Sequence, residues 1–254
     1  MHYKIAFHDT SFFKNGFRFR FLSYGSLSGA IDIWNLDYVL LKTYPPSGFD
    51  SNLKEIAFVN RSFSLIHPYT SMPWKHLVNN QSTYLNSSID LRYKYLSNTL
   101  AINTSFKDFI FDVNGVQKLT SSFSANVNPL TDTIHSFSLN TLVLTSPNND
   151  SASFSSLHTL SNFGTGGIID SIRTNDSIVF NYKFYNYYSY DDGTSEVGFD
   201  LINAPGGKVA MRFDLAQADT LRAVRMLFVQ QNASAANKLF TLKIWSSLTP
   251  ETVI

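Results

Sequence analysis

Apolar and polar side chains alternate along five separate runs of this chain, and any fold it adopts must satisfy that period of two. In residues 16–21 (GFRFRF), Phe17, Phe19 and Phe21 fall on one face of an extended strand and Arg18 and Arg20 on the other. The same pattern sets Ile89, Leu91, Tyr93 and Tyr95 against Asp90, Arg92 and Lys94. It recurs in Ile178, Phe180, Tyr182 and Phe184, in Val209, Met211, Phe213 and Leu215, and in Phe240, Leu242 and Ile244. Successive strand side chains point to opposite faces, so each run reads as a half-buried strand. Between the runs stand KNG, PPSG, VNG, SPNND, DDG and APGG, whose Gly, Pro, Asn and Asp are turn formers. Helical signals reduce to residues 71–77 (SMPWKHL), where Ser71 could cap and Pro73 could open one or two turns. Many short strands joined by tight turns predict an all-β fold of sandwiches.

The 254 residues suffice for one large or a few small domains. Boundaries are expected at Tyr44–Gly48, where two prolines and a glycine interrupt the alternation, and near Asn181–Asn186, giving segments 1–46, 47–182 and 183–254. Residues 146–167, small and polar, read as a long loop or loosely held edge. A net charge of +1, with charged residues at only 15%, provides no electrostatic footprint for nucleic acid. Cysteine is absent, which removes disulfide scaffolds, thiolate metal sites and cysteine nucleophiles. No apolar run is long enough to span a membrane, and the first residues lack signal-peptide character. A secreted protein with this sequence would therefore be a piece of a longer precursor.

Enzyme signatures fail one by one. The GSLSG run at 25–29 centres on Leu27 where a nucleophile elbow needs serine, and GTGGII at 164–169 lacks both the lysine of a phosphate loop and the last glycine of a dinucleotide fingerprint. His2, His8, His67, His76, His135 and His158 show no zinc-ligand spacing and read as ordinary surface or core residues.

Two stretches carry a resemblance. FRFRFLSYGSLSGAIDIWNLDYVLL at the N-terminus resembles the closing strands of a jelly-roll module, with its F-x-F-R strand and D-x-W-x-x-D-Y-V strand. NDSIVFNYKFYNYYSYDDGTSEVGFDL, continuing to LFTLKIWSS, resembles the opening half of a second one, of the N-Y-Y-A-Y-D-D-G-T-A-E type. Both are similar to modules of large secreted or surface proteins of bacteria that use the type IX secretion system. The resemblance implies an immunoglobulin-like sandwich flanked by jelly-roll sandwich modules, each terminal module incomplete. It also implies an exported, extracellular or cell-surface location.

Candidate site residues cluster after the strand at 178–184. Asp191, Asp192 and Glu196 could donate oxygens to Ca²⁺, which takes six to eight, while Asp191-Asp192-Gly193 alone already reads as a turn. The turn is the favoured reading. Asp37, in the 32–38 stretch with Asp32 and Trp34, is expected to pair with Arg18 or Arg20. Tyr185, Tyr187, Tyr188 and Tyr190, with Trp34 and Trp245, are candidates for stacking on sugar rings, although with 22 Phe and 13 Tyr most aromatics must be core. Asn-x-Ser/Thr sequons and Asp-Ser/Thr-apolar triplets such as Asp132-Thr133-Ile134 arise readily in a chain rich in Asn, Ser and Thr. The expected function is a non-catalytic scaffold or adhesion module of a larger secreted protein, its partners being other modules of the same polypeptide and polysaccharide or cell-surface components. The alternatives are a carbohydrate-binding accessory region of a secreted glycan hydrolase or peptidase, and a catalytic jelly roll using Asp191 or Glu196.

Overall fold

The computed structural model describes residues 5, 8–22, 24, 36, 39, 41, 55–59, 63–98, 100–162, 175–193, 206–226 and 239–253. The chain divides into two compact units, Met1–Phe49 and Asp50–Ile254. In the first, a 3-10 turn at Thr10–Phe12 starts at Asp9, whose carboxylate accepts the Ser11 N–H at 2.8 Å. Phe12, Phe17, Phe19 and Phe21 follow one another at ring spacings of 6.2, 6.3 and 5.7 Å. The three alternating phenylalanines thus keep to one side, but none of the described residues of this unit pairs in a ladder.

The second unit is a sandwich. Among the described residues its elements are β1 (Ile56–Phe58), the short helices α1 (Trp74–Val78) and α2 (Gln81–Tyr84), β2 (Ser88–Tyr95), β3 (Ile102–Asp112), β4 (Gln117–Val127), β5 (Asp132–Ser138), β6 (Ala152–Asn162) and β7 (Ser177–Phe184). A hairpin, β8 (Trp245–Leu248) and β9 (Glu251–Val253), follows. Strands β1-β2-β5 form one antiparallel sheet and β4-β3-β6-β7 the other. Seven strands split three and four, with the fifth beside the second and the third beside the sixth, make the Greek-key crossing of an immunoglobulin-like sandwich. Here the fourth strand pairs with the third; in the constant-type domain it pairs with the fifth.

Alternation decides which side chains enter the core. Ile89, Leu91, Tyr93 and Tyr95 of β2 are buried while Asp90, Arg92 and Lys94 stay exposed, as expected from sequence. They face Phe106 and Ile110 of β3, Phe154 and Leu160 of β6, and Tyr182 and Phe184 of β7 across the layer. Burying one such side chain stabilises by about 1.5–3 kcal/mol. Trp74 of α1 closes one end of the layer, its ring 6.0 Å from Phe154 and 6.5 Å from Phe184. Pro73 rather than Ser71 is the helix N-cap residue, and the Ser71 hydroxyl instead donates to the Lys183 carbonyl at 2.6 Å.

Residues 146–167 correct the sequence reading. Within that stretch 146–151 are indeed loop and 163–167 lie outside the described residues, but 152–162 are neither loop nor loose edge: they form β6 in the interior of the four-stranded sheet, paired with β3 on one side and β7 on the other. Its buried row is Ala152, Phe154, Ser156, His158 and Leu160, so small and polar residues at core positions masked a regular period of two. Residues 209–215 and 240–244 also differ from expectation. Their alternation is present, but no neighbouring strand pairs with them among the described residues.

Candidate functional site

The tyrosine run leaves β7 and turns back onto the sandwich. The Trp74 N–H donates to the Tyr185 carbonyl at 2.9 Å, the Thr70 N–H donates to the Ser189 carbonyl at 2.8 Å, and the Ser189 N–H donates to the Ser71 carbonyl at 2.9 Å. These bonds place residues 185–189 along residues 70–74. Tyr69, fully buried, sits at the centre of an aromatic group, 4.9 Å from both Tyr188 and Tyr190 and stacked at 6.2 Å and 3° on Phe213.

Three phenol groups of this cluster grip one backbone stretch. The Tyr69 hydroxyl donates to the Asp214 carbonyl at 2.8 Å and accepts the Asp214 N–H at 2.7 Å. The Tyr190 hydroxyl donates to the Arg212 carbonyl at 2.7 Å, and the Tyr188 hydroxyl accepts the Ala216 N–H at 2.9 Å. His76 of α1 completes the set, its Nδ1 2.6 Å from the Tyr188 hydroxyl and its Nε2 3.3 Å from the Asp219 carboxylate. Burial, reinforced by the Tyr190 hydroxyl, pushes the Tyr69 phenol far above the ordinary tyrosine range, and burial also raises Tyr188. Both remain neutral donors and acceptors at any physiological pH.

The four candidate tyrosines therefore separate into two pairs. Tyr188 and Tyr190 hold residues 212–216, whereas Tyr185 and Tyr187 are 53% and 48% exposed. Asp191 forms the turn read from the sequence: its Oδ1 accepts the Gly193 N–H at 2.6 Å, and Gly193 takes a φ of +99°, which glycine adopts without strain. The Asp191 carbonyl is engaged as well, accepting from the Thr70 and Ser189 hydroxyls at 2.6 and 2.7 Å. Among the described residues no group of three or more His, Asp or Glu could hold a metal ion. Glu196, Asp32, Trp34 and Asp37 lie outside the described residues. Trp245 starts β8, and its indole N–H donates to Glu251 at 3.1 Å.

A second constellation, which sequence reasoning missed, lies between the sheets. Asp108 of β3 is fully buried; its Oδ1 accepts from His158 Nδ1 of the adjacent β6 at 2.8 Å, and its Oδ2 accepts from His135 Nε2 of β5, in the opposite sheet, at 2.7 Å. Burial alone would raise the Asp108 carboxyl, but the hydrogen bonds from the two imidazoles outweigh it and hold the group below the usual carboxylate range. The outer nitrogen of His158, Nε2, is buried with no partner. A tautomer with the proton on Nδ1 leaves there an acceptor rather than a donor, and the hydrogen-bond network assigns that tautomer. Phe106 and Phe137 pack on the two rings, at 4.7 Å from His135 and 5.7 Å from His158. Closed off in this way, the bridge ties one sheet to the other. The signal was visible at one position, since the alternation of 102–112 places Asp108 in the inward row between Phe106 and Ile110.

No protein family, characterised protein or solved structure matches this chain. No helix among the described residues is long and apolar enough to cross a membrane.

Proposed function

We propose that this chain is a non-catalytic β-sandwich module acting as a scaffold or adhesion region of a larger secreted or cell-surface protein. The jelly-roll resemblance, to proteins exported by the type IX secretion system, supports the location. One observation carries the reading of its role. Three tyrosine hydroxyls at one end of the sandwich are spent on the backbone of residues 212–216, so that this end holds the next stretch of the same polypeptide in a set position. A partner within the polypeptide is what a scaffold element requires. The exposed Tyr185 and Tyr187 favour carbohydrate binding as the second reading, because a free phenol ring can stack on a sugar.

A glycan array on the chain and on a Tyr185→Ala/Tyr187→Ala variant separates the two. A blank array with the intact chain supports the scaffold. A signal that the double variant loses supports the carbohydrate-binding reading in its place.

A further inference from the structure

Among the described residues, strand β4 is an edge strand of the four-stranded sheet, paired with β3 on one side only. Sheet edges invite further pairing, and proteins usually blunt them with charge, proline, bulges or shortness. The other edges of the sandwich carry such devices. β1 has three residues, β5 opens with Asp132 bound by Arg92 at 2.6 Å, and the end of β7 is covered by Ser71. In β4, by contrast, residues 119–127 (LTSSFSANV) contain neither charge nor proline and pair with β3 in unbroken register from Leu119 to Val127. The one charge within β4 itself, Lys118, sits at the register shift and is turned onto Asp112 at 3.0 Å and Thr145 at 3.2 Å, and exposed Lys107, opposite Ser122, belongs to β3, one strand in from the edge.

We propose that this edge docks a second copy of the chain, β4 against β4 in an antiparallel pair centred on Phe123, which joins two four-stranded sheets into one of eight strands. The sequence of the edge is complementary to itself about that centre. On the inward row Leu119 meets Val127, Ser121 meets Ala125, and Phe123 meets its own copy. On the outward row Thr120 meets Asn126 and Ser122 meets Ser124. Every apolar residue but Ala125, which falls beside a serine, thus meets an apolar one, hydroxyls meet hydroxyls or amides, and no like charges are opposed. Phe123 also calls for cover: it lies on the inward row over His135, ring to ring at 5.8 Å and 13°, yet remains 52% exposed. Its partner would supply that cover. The inference does not rest on the extracellular reading of the chain.

Sedimentation velocity over a concentration series tests it, with a Ser122→Lys/Ser124→Lys variant whose new side chains replace exposed hydroxyls and leave the core untouched. The chain should move from its 28.7 kDa monomer to twice that mass as concentration rises, and the variant should dimerise about tenfold or more weakly, since lysine then opposes lysine. The chain has no cysteine, so register is read directly: a Ser122→Cys chain mixed with a Ser124→Cys chain should form an interchain disulfide faster than either chain alone. A chain that stays monomeric at its highest soluble concentration overturns the proposal. So does a dimer that survives the two lysines, or one whose disulfides form without preference for the 122–124 pair.

Discussion

Asp108 and His158 stand directly opposite one another across the β3–β6 ladder, and the carboxylate Oδ1 lies 2.8 Å from the imidazole Nδ1. Because His135 reaches the other oxygen from the opposite sheet, one carboxylate satisfies two buried imidazoles. Replacing it with alanine leaves both without their acceptor in a closed core. Asp108→Ala should cost about 3–5 kcal/mol, the range for breaking a buried charged network, and lower the melting temperature by roughly 10 °C. Asp108→Asn, which retains one acceptor, should fall between wild type and alanine. Calorimetry of the three proteins decides the order.

The same carboxylate sets an acid limit. Its pKa is depressed in the folded protein relative to the unfolded chain, so its contribution is complete above the unfolded value of about 3.9 and is lost as pH falls through the folded value. Asp112 behaves likewise: against a burial effect that raises it, the bond to Lys118 and the bonds from the Val116 and Asn114 N–H groups hold it down. Urea midpoints should be steady from neutral pH to about pH 4 and then fall, and in Asp108→Asn that fall should be shallower. An equal slope in the two proteins would remove Asp108 from the acid response.

The tyrosine grip predicts a local opening. Tyr188→Phe removes a hydroxyl that meets both His76 and the Ala216 N–H, and Tyr69→Phe removes one that meets the Asp214 N–H and carbonyl. Each should cost about 1–3 kcal/mol. Limited proteolysis followed by mass spectrometry should show new cuts within residues 206–226, while the sandwich strands stay protected.

Alkaline titration reads the same burial optically. Tyr182, deep in the core beside Ser156 at 3.0 Å, is pushed up to about 12 by burial, and Tyr69, Tyr93 and Tyr188 are raised as well. Absorbance of tyrosinate should rise in two stages, with these four in the later one. In Tyr182→Phe the later stage should shrink.

Asp191 gives a test of the turn against the ion. Its Oδ1 is already bonded to the Gly193 N–H, so Asp191→Ala should destabilise by about 1 kcal/mol through loss of that bond. Millimolar Ca²⁺ should leave the melting temperature of the intact chain unmoved. A ligand that binds only the folded state raises the midpoint, and an upward shift would return Asp191, Asp192 and Glu196 to consideration as ligands.

Legibility in the sequence followed the contrast between the two faces of each strand. β2 was plain because aliphatic and aromatic residues alternate with Asp90, Arg92 and Lys94, and β7 because Phe180, Tyr182 and Phe184 alternate with Asn181 and Lys183. β6 was hidden because its inward row includes Ala152, Ser156 and His158, whose small or polar side chains look like loop composition until they are placed opposite Phe184, Phe180 and Ile178. The Asp191 turn was readable, being local, with donor and acceptor two residues apart. The grip on 212–216 was not, since Tyr69 and Asp214 are 145 positions apart and no local pattern announces a phenol bonded to a distant backbone. Asp108, His135 and His158 likewise meet only through the strand order.

The grip also grades the chain's response to tension. Residues 212–216 are secured by a few phenol contacts, whereas β3 and β6 are zipped along nine consecutive positions from Thr104 to Asp112. Stretching the polypeptide from its far end would peel the phenols loose first and spare the sheets, making this junction a replaceable fuse that reseats when the strain is released.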